Sequence, residues 1–211
     1  MSRWQQGIAL VVLLLCAGME PASAQNVSAS TPFDSTPNIP KTFPLIGGPT
    51  GGPSDDTLRL VTAAAANDAL AVNGLLDAQV SPNEAEEYGR TPLIYAAMNN
   101  NAEIAQALVT RGANVDVRDH LGKTALHWAA ERSAIAVMRV LLQAKASVDV
   151  QSRQGLTPLM LAASNGQTEA VRLLLQYHAN PKISDYAGHD ALSWAGNHAP
   201  IVQALRVAET R

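Results

Sequence analysis

Residues 122–130 read GKTALHWAA, and closely related strings occur at residues 89–97 (GRTPLIYAA) and 155–163 (GLTPLMLAA). In each string a glycine is followed two residues later by a threonine, whose hydroxyl can accept a hydrogen bond from the unpaired N–H groups of a helix's first turn. Pro92 and Pro158 follow two of these threonines, and proline fits the first helical position because its missing N–H costs nothing there. The pattern predicts a turn followed by a short helix, repeated every 33 residues.

The 33-residue period continues through the chain after Ser54. Four columns of identical residues carry it: Leu60, Leu93, Leu126, Leu159 and Leu192; Ala63, Ala96, Ala129, Ala162 and Ala195; Gly89, Gly122, Gly155 and Gly188; and Leu75, Leu108, Leu141 and Leu174. A second, longer helix is expected in each unit because apolar residues such as Ile104 and Leu108 recur at helical spacing. Gly112 is placed to end that helix in the left-handed conformation. We therefore predict five units, which begin near residues 53, 86, 119, 152 and 185.

These strings resemble the ankyrin signature, and residues 112–116 (GANVD) resemble the end of an ankyrin unit. The resemblance implies an all-α solenoid, in which helix-turn-helix units with short hairpin-like turns stack side by side.

The end units depart from the pattern. Leu58 stands where the first unit should have its capping threonine, and the fifth unit lacks two residues, which we place in the turn between its helices. Terminal units must cover the ends of the hydrophobic core, so such departures are expected.

The first 24 residues have the features of a secretory signal peptide. Arg3 supplies a positive charge, residues 8–17 an apolar stretch, and residues 22–24 (ASA) a cleavage site with two small residues. The apolar stretch is too short to span a membrane, so we expect export without membrane insertion, to the periplasm or to the outside of the cell. Acylation of Cys16 is the alternative to cleavage after Ala24.

Residues 25–54 form a predicted disordered linker between the signal peptide 1–24 and the repeat domain 55–211. The segment contains six prolines, two Gly-Gly pairs and many serines and threonines, a composition that does not sustain a helix or a sheet. Phe33 and Phe43, the only phenylalanines of the chain, leave open the alternative that the segment carries a docking peptide.

The composition argues against several classes of function. With 16% charged residues and a net charge of −3, the chain lacks the basic excess of a general nucleic-acid binder. Its single cysteine lies in the signal peptide, so the mature chain would have no disulfide, no thiolate zinc site and no cysteine nucleophile. His178, His189 and His198 are 11 and 9 residues apart, so no pair lies on one helical turn, and the sequence does not favour a metal site. We expect no metal, no cofactor and no catalytic residue.

His127 nevertheless invites a catalytic interpretation. Asp119 lies nearby in sequence and Thr124 three residues before it, so that a hydrolase could use this histidine as a general base. The resemblance implies a different role, because the histidine at this place in the ankyrin signature is a structural hydrogen-bonding residue that ties adjacent turns together. We predict the structural role and keep the hydrolase as an alternative.

The resemblance also implies that the turn tips and the exposed end of each first helix line a concave face that binds partners. The predicted partner-binding residues are Tyr88, Arg90, Met98, Asn99, Arg118, His120, Leu121, Lys123, Glu131, Arg132, Arg153, Gln154, Leu156, Ser164, Asn165, Tyr186 and His189, with Glu87 and Gln151 beside them. Five of these residues are basic and two acidic, which predicts a partner protein with an acidic surface. We therefore predict a non-catalytic protein-protein interaction module. An accessory factor that stabilises an exported enzyme is the alternative.

Overall fold

The computed structural model describes residues 55–209, so the signal peptide and linker predicted for residues 1–54 lie outside the described residues. The described part of the chain contains ten α-helices and no strand. They are α1 Asp55–Ala65, α2 Ala69–Asp77, α3 Pro92–Met98, α4 Ala102–Thr110, α5 Ala125–Glu131, α6 Ile135–Gln143, α7 Pro158–Ser164, α8 Thr168–Gln176, α9 Ala191–Ala195 and α10 Ala199–Glu209. Each predicted unit contributes one pair, so the all-α prediction is confirmed. None of the ten helices has the length and apolarity needed to cross a membrane.

The helices form two rows. Each first helix (α1, α3, α5, α7, α9) packs against the first helices of the neighbouring units, and the second helices pack against one another in the same way. The core lies between the rows, where Leu93, Leu126 and Leu159 are buried. Leu192, in the same column, is only partly buried because no further unit among the described residues covers it.

The predicted caps begin the first helices of the second and fourth units. The hydroxyls of Thr91 and Thr157 accept hydrogen bonds from the N–H groups three residues later, at 3.4 and 3.3 Å. Asp190 caps α9 in the same way with its carboxylate, at 2.8 Å from the N–H of Ser193. The caps therefore set where the turn ends and the helix begins, and this fixes the spacing between the turn and the core leucine.

The two end units depart from the pattern in different ways. Leu58 lies within helix α1, which has 11 residues, compared with seven in α3. In the fifth unit the prediction for the two missing residues is wrong. The turn 196–198 has three residues, as does the turn 99–101, and the two residues are missing from helix α9, which has only five. Gly196 ends this helix early with a φ of 53°.

Positions with positive φ recur with the same period. They are Gly89, Gly122, Gly155 and Gly188 in the first turn; Asn67, Asn100, Ser133 and Gly166 after the first helix; and Gln79, Gly112, Lys145 and His178 after the second helix. The left-handed conformation predicted for Gly112 is confirmed. Lys145 and His178 adopt the same conformation although they carry side chains, so positive φ alone does not explain why the first column is always glycine.

Close approach of the backbone explains the glycines of the first turn. The N–H of Arg153 donates a hydrogen bond to the carbonyl of Leu121 at 2.9 Å, and two further bonds of this kind join the other neighbouring turns. A Cβ atom on Gly122 would lie 2.8 Å from the nitrogen of Arg153, and one on Gly155 would lie 2.7 Å from the nitrogen of Tyr186. Gly188, in the last unit, has open space at this point.

We predict that alanine at these glycines destabilises the fold unequally. Gly188→Ala should cost about 1 kcal/mol, the strain of an L-residue at positive φ. Gly122→Ala and Gly155→Ala should cost roughly 1–3 kcal/mol more, because the added methyl also forces the neighbouring turn away. Urea unfolding of the three variants measures the difference. Equal losses would show that the conformation, and not the approach of the turns, requires glycine.

Candidate functional site

The turns between units carry the candidate site, and a polar side chain closes each of them. Asp119 begins the turn of the third unit, and its Oδ1 accepts the N–H groups of Leu121 and Lys123, both at 2.9 Å. Asp185 closes the turn of the fifth unit in the same way, and the N–H of His189 lowers the pKa of its carboxyl group. These bonds hold the backbone of the tip in place, so that the tip side chains project from a fixed support.

Two tryptophans tie the turns to the first helices. The indole N–H of Trp128 donates to Oδ2 of Asp119 at 2.9 Å, and that of Trp194 donates to Oδ2 of Asp185 at 3.0 Å. No role was assigned to either tryptophan from the sequence, and these bonds were not predicted. The signal was present, because in both units an aspartate precedes the tryptophan by nine residues.

His127 is fully buried and joins the third unit to the fourth. Its Nδ1 accepts the N–H of Thr124 at 3.1 Å, and its Nε2 donates to the carbonyl of Leu156 at 3.1 Å. Burial is the main reason that its pKa falls to about 4. Asp119 is bonded to Trp128 and to backbone N–H groups, so the His127–Asp119 pair of the hydrolase alternative does not form.

Cations and aromatic rings meet where the turns face the first helices. The ammonium of Lys123 lies 4.3 Å from the ring centre of Trp128 and forms an ion pair with Glu131 at 2.6 Å. The guanidinium carbon of Arg90 lies 5.6 Å from the same ring centre, and 5.8 and 6.0 Å from those of Tyr88 and Tyr95. Both distances to Trp128 lie within the range of cation–π attraction.

The helix pairs, the glycine turns and the buried histidine agree with a comparison against known families. The model of a family described as ankyrin repeats (3 copies) matches residues 60–152 and 141–209. The chain belongs to the ankyrin-repeat family. No curated protein matches it significantly. Ankyrin repeats generally mediate interactions between proteins, and the surface of this ankyrin stack that bears the turns is therefore the candidate site.

We call this surface the tip face and define it as the exposed side chains of the turns 86–90, 119–123, 152–156 and 185–189, with the adjoining ends of the first helices and with Arg118, which directly precedes the second of these turns. Most of the predicted binding residues are exposed here: Tyr88, Asn99, Arg118, His120, Leu121, Arg132, Arg153, Gln154, Asn165, Tyr186 and His189. Arg90, Met98, Lys123, Glu131 and Ser164 are half-buried. The tips thus bring residues from four units of the ankyrin stack to one surface.

Leu156 is a correction to the predicted binding set. It occupies the same place in its turn as Arg90 and Lys123, but its side chain is only 9% exposed and belongs to the core. Its carbonyl accepts the hydrogen bond from His127, and its N–H donates to Ser152. Leu156 therefore stabilises the stack and is not available to a partner.

Two exposed members of the set also hold units together. The guanidinium of Arg118 donates to the carbonyl of Gln151 in the next unit, and the amide of Gln151 donates to the carbonyl of Ser184 one unit further on. The amide of Asn99 donates to the carbonyls of Ala64 and Ala65 at the end of α1, at 3.1 and 3.0 Å. Sequence position placed these residues at the surface but did not reveal that their polar atoms have partners.

The described residues contain no group of three or more His, Cys, Asp or Glu side chains that could hold a metal ion. His178 follows α8, His189 lies in the last turn, and His198 precedes α10. His189 instead faces Trp194 edge-on, with ring centres 6.0 Å apart. The three histidines therefore have separate surroundings in this part of the ankyrin domain.

We predict that His127 makes the stability of the ankyrin domain depend on pH. The folded protein holds the pKa near 4, whereas the unfolded chain has the ordinary value of 6.5, so the unfolded state binds the proton first as the pH falls. Stability should therefore decrease from pH 6.5 to 4, by about 3 kcal/mol from this group. Urea unfolding at pH 7 and pH 4.5 measures the loss.

His127→Met is the matched control for this prediction. Met160 occupies the equivalent position in the fourth unit, where its sulfur lies 3.5 Å from the N–H of Thr157. The variant keeps the volume of a buried side chain but cannot titrate, so it should lose less stability than the wild type on acidification. An identical pH dependence in the two proteins would contradict the assignment to His127.

Proposed function

We propose that the ankyrin stack binds another protein through the tip face and that it performs no chemistry there. The exposed apolar side chains of the turns carry the proposal: Tyr88 is 59% exposed, Leu121 51% and Tyr186 74%. The bonds between turns run from backbone to backbone, so these three side chains are not needed to join the units. Tyrosines on a rigid surface are typical anchors of protein interfaces.

A partner would contact a surface of mixed character. Arg132 and Arg153 are exposed beside the apolar tips, and Arg90 lies among the rings. This combination of tyrosine and arginine favours a protein partner over a small molecule, because the side chains are spread along consecutive turns and do not converge on an enclosed pocket. The basic residues support an acidic surface on that partner.

The test is affinity capture with a variant of the tips. Tyr88→Ala, Leu121→Ser and Tyr186→Ala together should abolish capture of a protein that the wild-type chain retains, while leaving helicity and melting unchanged. Leu70→Ala is the control, because Leu70 is an 86% exposed apolar residue on α2, outside the tip face. A protein retained equally by all three chains would show that the tip face is not the binding surface.

We also propose that the chain is exported and acts in the periplasm or outside the cell. The charged start, short apolar stretch and small residues at 22–24 support this location. The intact mass of protein recovered from outside the cytoplasm should correspond to a chain that begins at Gln25, and Ala24→Arg should impair processing. A chain that retains Met1, or that carries a lipid on Cys16, would contradict the proposed cleavage.

A further inference from the structure

One position of the turn carries a basic residue in three of the four turns of the tip face. The position is occupied by Arg90, Lys123, Leu156 and His189 in consecutive units. Lys123 has Glu131 as its counter-ion at 2.6 Å, and the ring of His189 lies 3.6 Å from the carboxylate of Asp185. Leu156 is apolar and needs none. Arg90 is therefore the member of the column whose charge has to be accounted for.

Arg90 has no counter-ion among the described residues. No carboxylate in this part of the chain forms an ion pair with it, and the carboxylate of Glu86 accepts the backbone N–H of Arg90 at 3.3 Å, not the guanidinium. The residue that corresponds to Glu131 one unit earlier is Met98. The second unit thus repeats the cation and the aromatic ring of the third unit but replaces the acid with a thioether.

The side chain of Arg90 is half-buried, and one of its donors is both buried and unsatisfied. The guanidinium carbon lies about equally far from the ring centres of Tyr88, Tyr95 and Trp128, at 5.8, 6.0 and 5.6 Å. Its Nε atom is buried and has no hydrogen-bond partner in the described part of the chain. A buried donor without a partner is costly, and a carboxylate is the acceptor that best matches a guanidinium.

We propose that Arg90 receives the carboxylate of an aspartate or glutamate from an acidic segment of the partner protein. The inference rests on the proposed function, because it assigns a ligand group to one point of the tip face. Trp128 and the two tyrosines orient the guanidinium, and Met98 supplies an apolar surface beside the position where the carboxylate docks. The missing acid of the second unit is thus provided by the partner.

The experiment uses a displayed library of random 12-residue peptides, selected on the purified full chain. Peptides that bind the tip face are identified by loss of binding to the triple variant of Tyr88, Leu121 and Tyr186. We expect these peptides to share one aspartate or glutamate. A second selection on Arg90→Glu should remove this acid from the shared sequence or replace it with a basic residue.

Affinities of one selected peptide then assign the contact. Arg90→Gln should weaken binding about 10- to 100-fold, the effect of removing a charge-assisted hydrogen bond. Lys123→Gln should weaken it less, because Glu131 already pairs with that ammonium. Arg139→Gln, at an exposed arginine of α6 outside the tip face, should leave the affinity unchanged.

A substitution in the peptide tests the same contact without changing the folded protein. Replacing the shared acid with its amide should weaken binding to the wild-type chain 10- to 100-fold, but should have little further effect on Arg90→Gln. Equal losses on both chains would assign the acid to another residue and overturn the proposal. Circular dichroism melting shows whether Arg90→Gln is folded, and Arg90→Lys serves in its place if it is not.

Three other outcomes also count against the inference. Peptides that bind the tip face without a shared acid would refute the role of Arg90 and leave the proposed function intact. A library that yields no peptide sensitive to the triple variant would count against both. If Asp34→Asn, which removes the only acid of residues 25–54, raises the affinity for the selected peptides, the occupant of the site is the chain's own linker and not a partner.

Discussion

The close approach of neighbouring turns is the constraint on which the stack depends. The N–H of Arg153 reaches the carbonyl of Leu121 at 2.9 Å, and Gly122 lies so close to the next turn that it leaves no room for a Cβ atom. Because backbone meets backbone at this point, the distance between consecutive tips is fixed without help from the tip side chains. Residues such as Tyr88 and Leu121 can therefore vary without loss of the fold, and a surface suited to one partner can be built on a support common to many repeat proteins.

Different side chains accept the hydrogen bonds of the turns in different units. Each turn has donors that must be satisfied, and the carboxylates of Asp119 and Asp185 satisfy two backbone N–H groups and an indole N–H at once. The fourth unit uses the hydroxyl of Ser152, which accepts hydrogen bonds from backbone N–H groups only. Leu161 occupies the position that Trp128 has in the third unit. The helix-to-turn link through an indole is therefore restricted to the third and fifth units, and the aromatic part of the tip face follows from this local chemistry.

The repeat period was sufficient to predict the units, the cap threonines Thr91 and Thr157, and the left-handed Gly112, because each depends on backbone geometry that recurs every 33 residues. The period was not sufficient to predict which side chains are buried and which are exposed. Leu156 shares its column with Arg90, yet it is buried, since a column fixes where a Cα lies and not whether its side chain turns toward the core. The shortening of α9 was also missed, because a deletion of two residues can be absorbed by a helix end or by a turn and only the neighbouring packing decides between them.

The position of a residue in the repeat also does not show whether its charge is paired. Five basic residues on the tip face suggest a diffuse positive field, but Lys123 is neutralised by Glu131 and Arg118 is bonded to the carbonyl of Gln151 in the next unit. Exposed charges that remain, such as Arg132 and Arg153, are screened by salt and act mainly on the rate of association. Arg90 differs from them because its Nε is buried without a hydrogen-bond partner, three rings surround its guanidinium, and no acid of the described residues forms an ion pair with it. Recognition of an acidic partner is therefore expected to depend more on this one unpaired, half-buried arginine than on the number of basic residues around it.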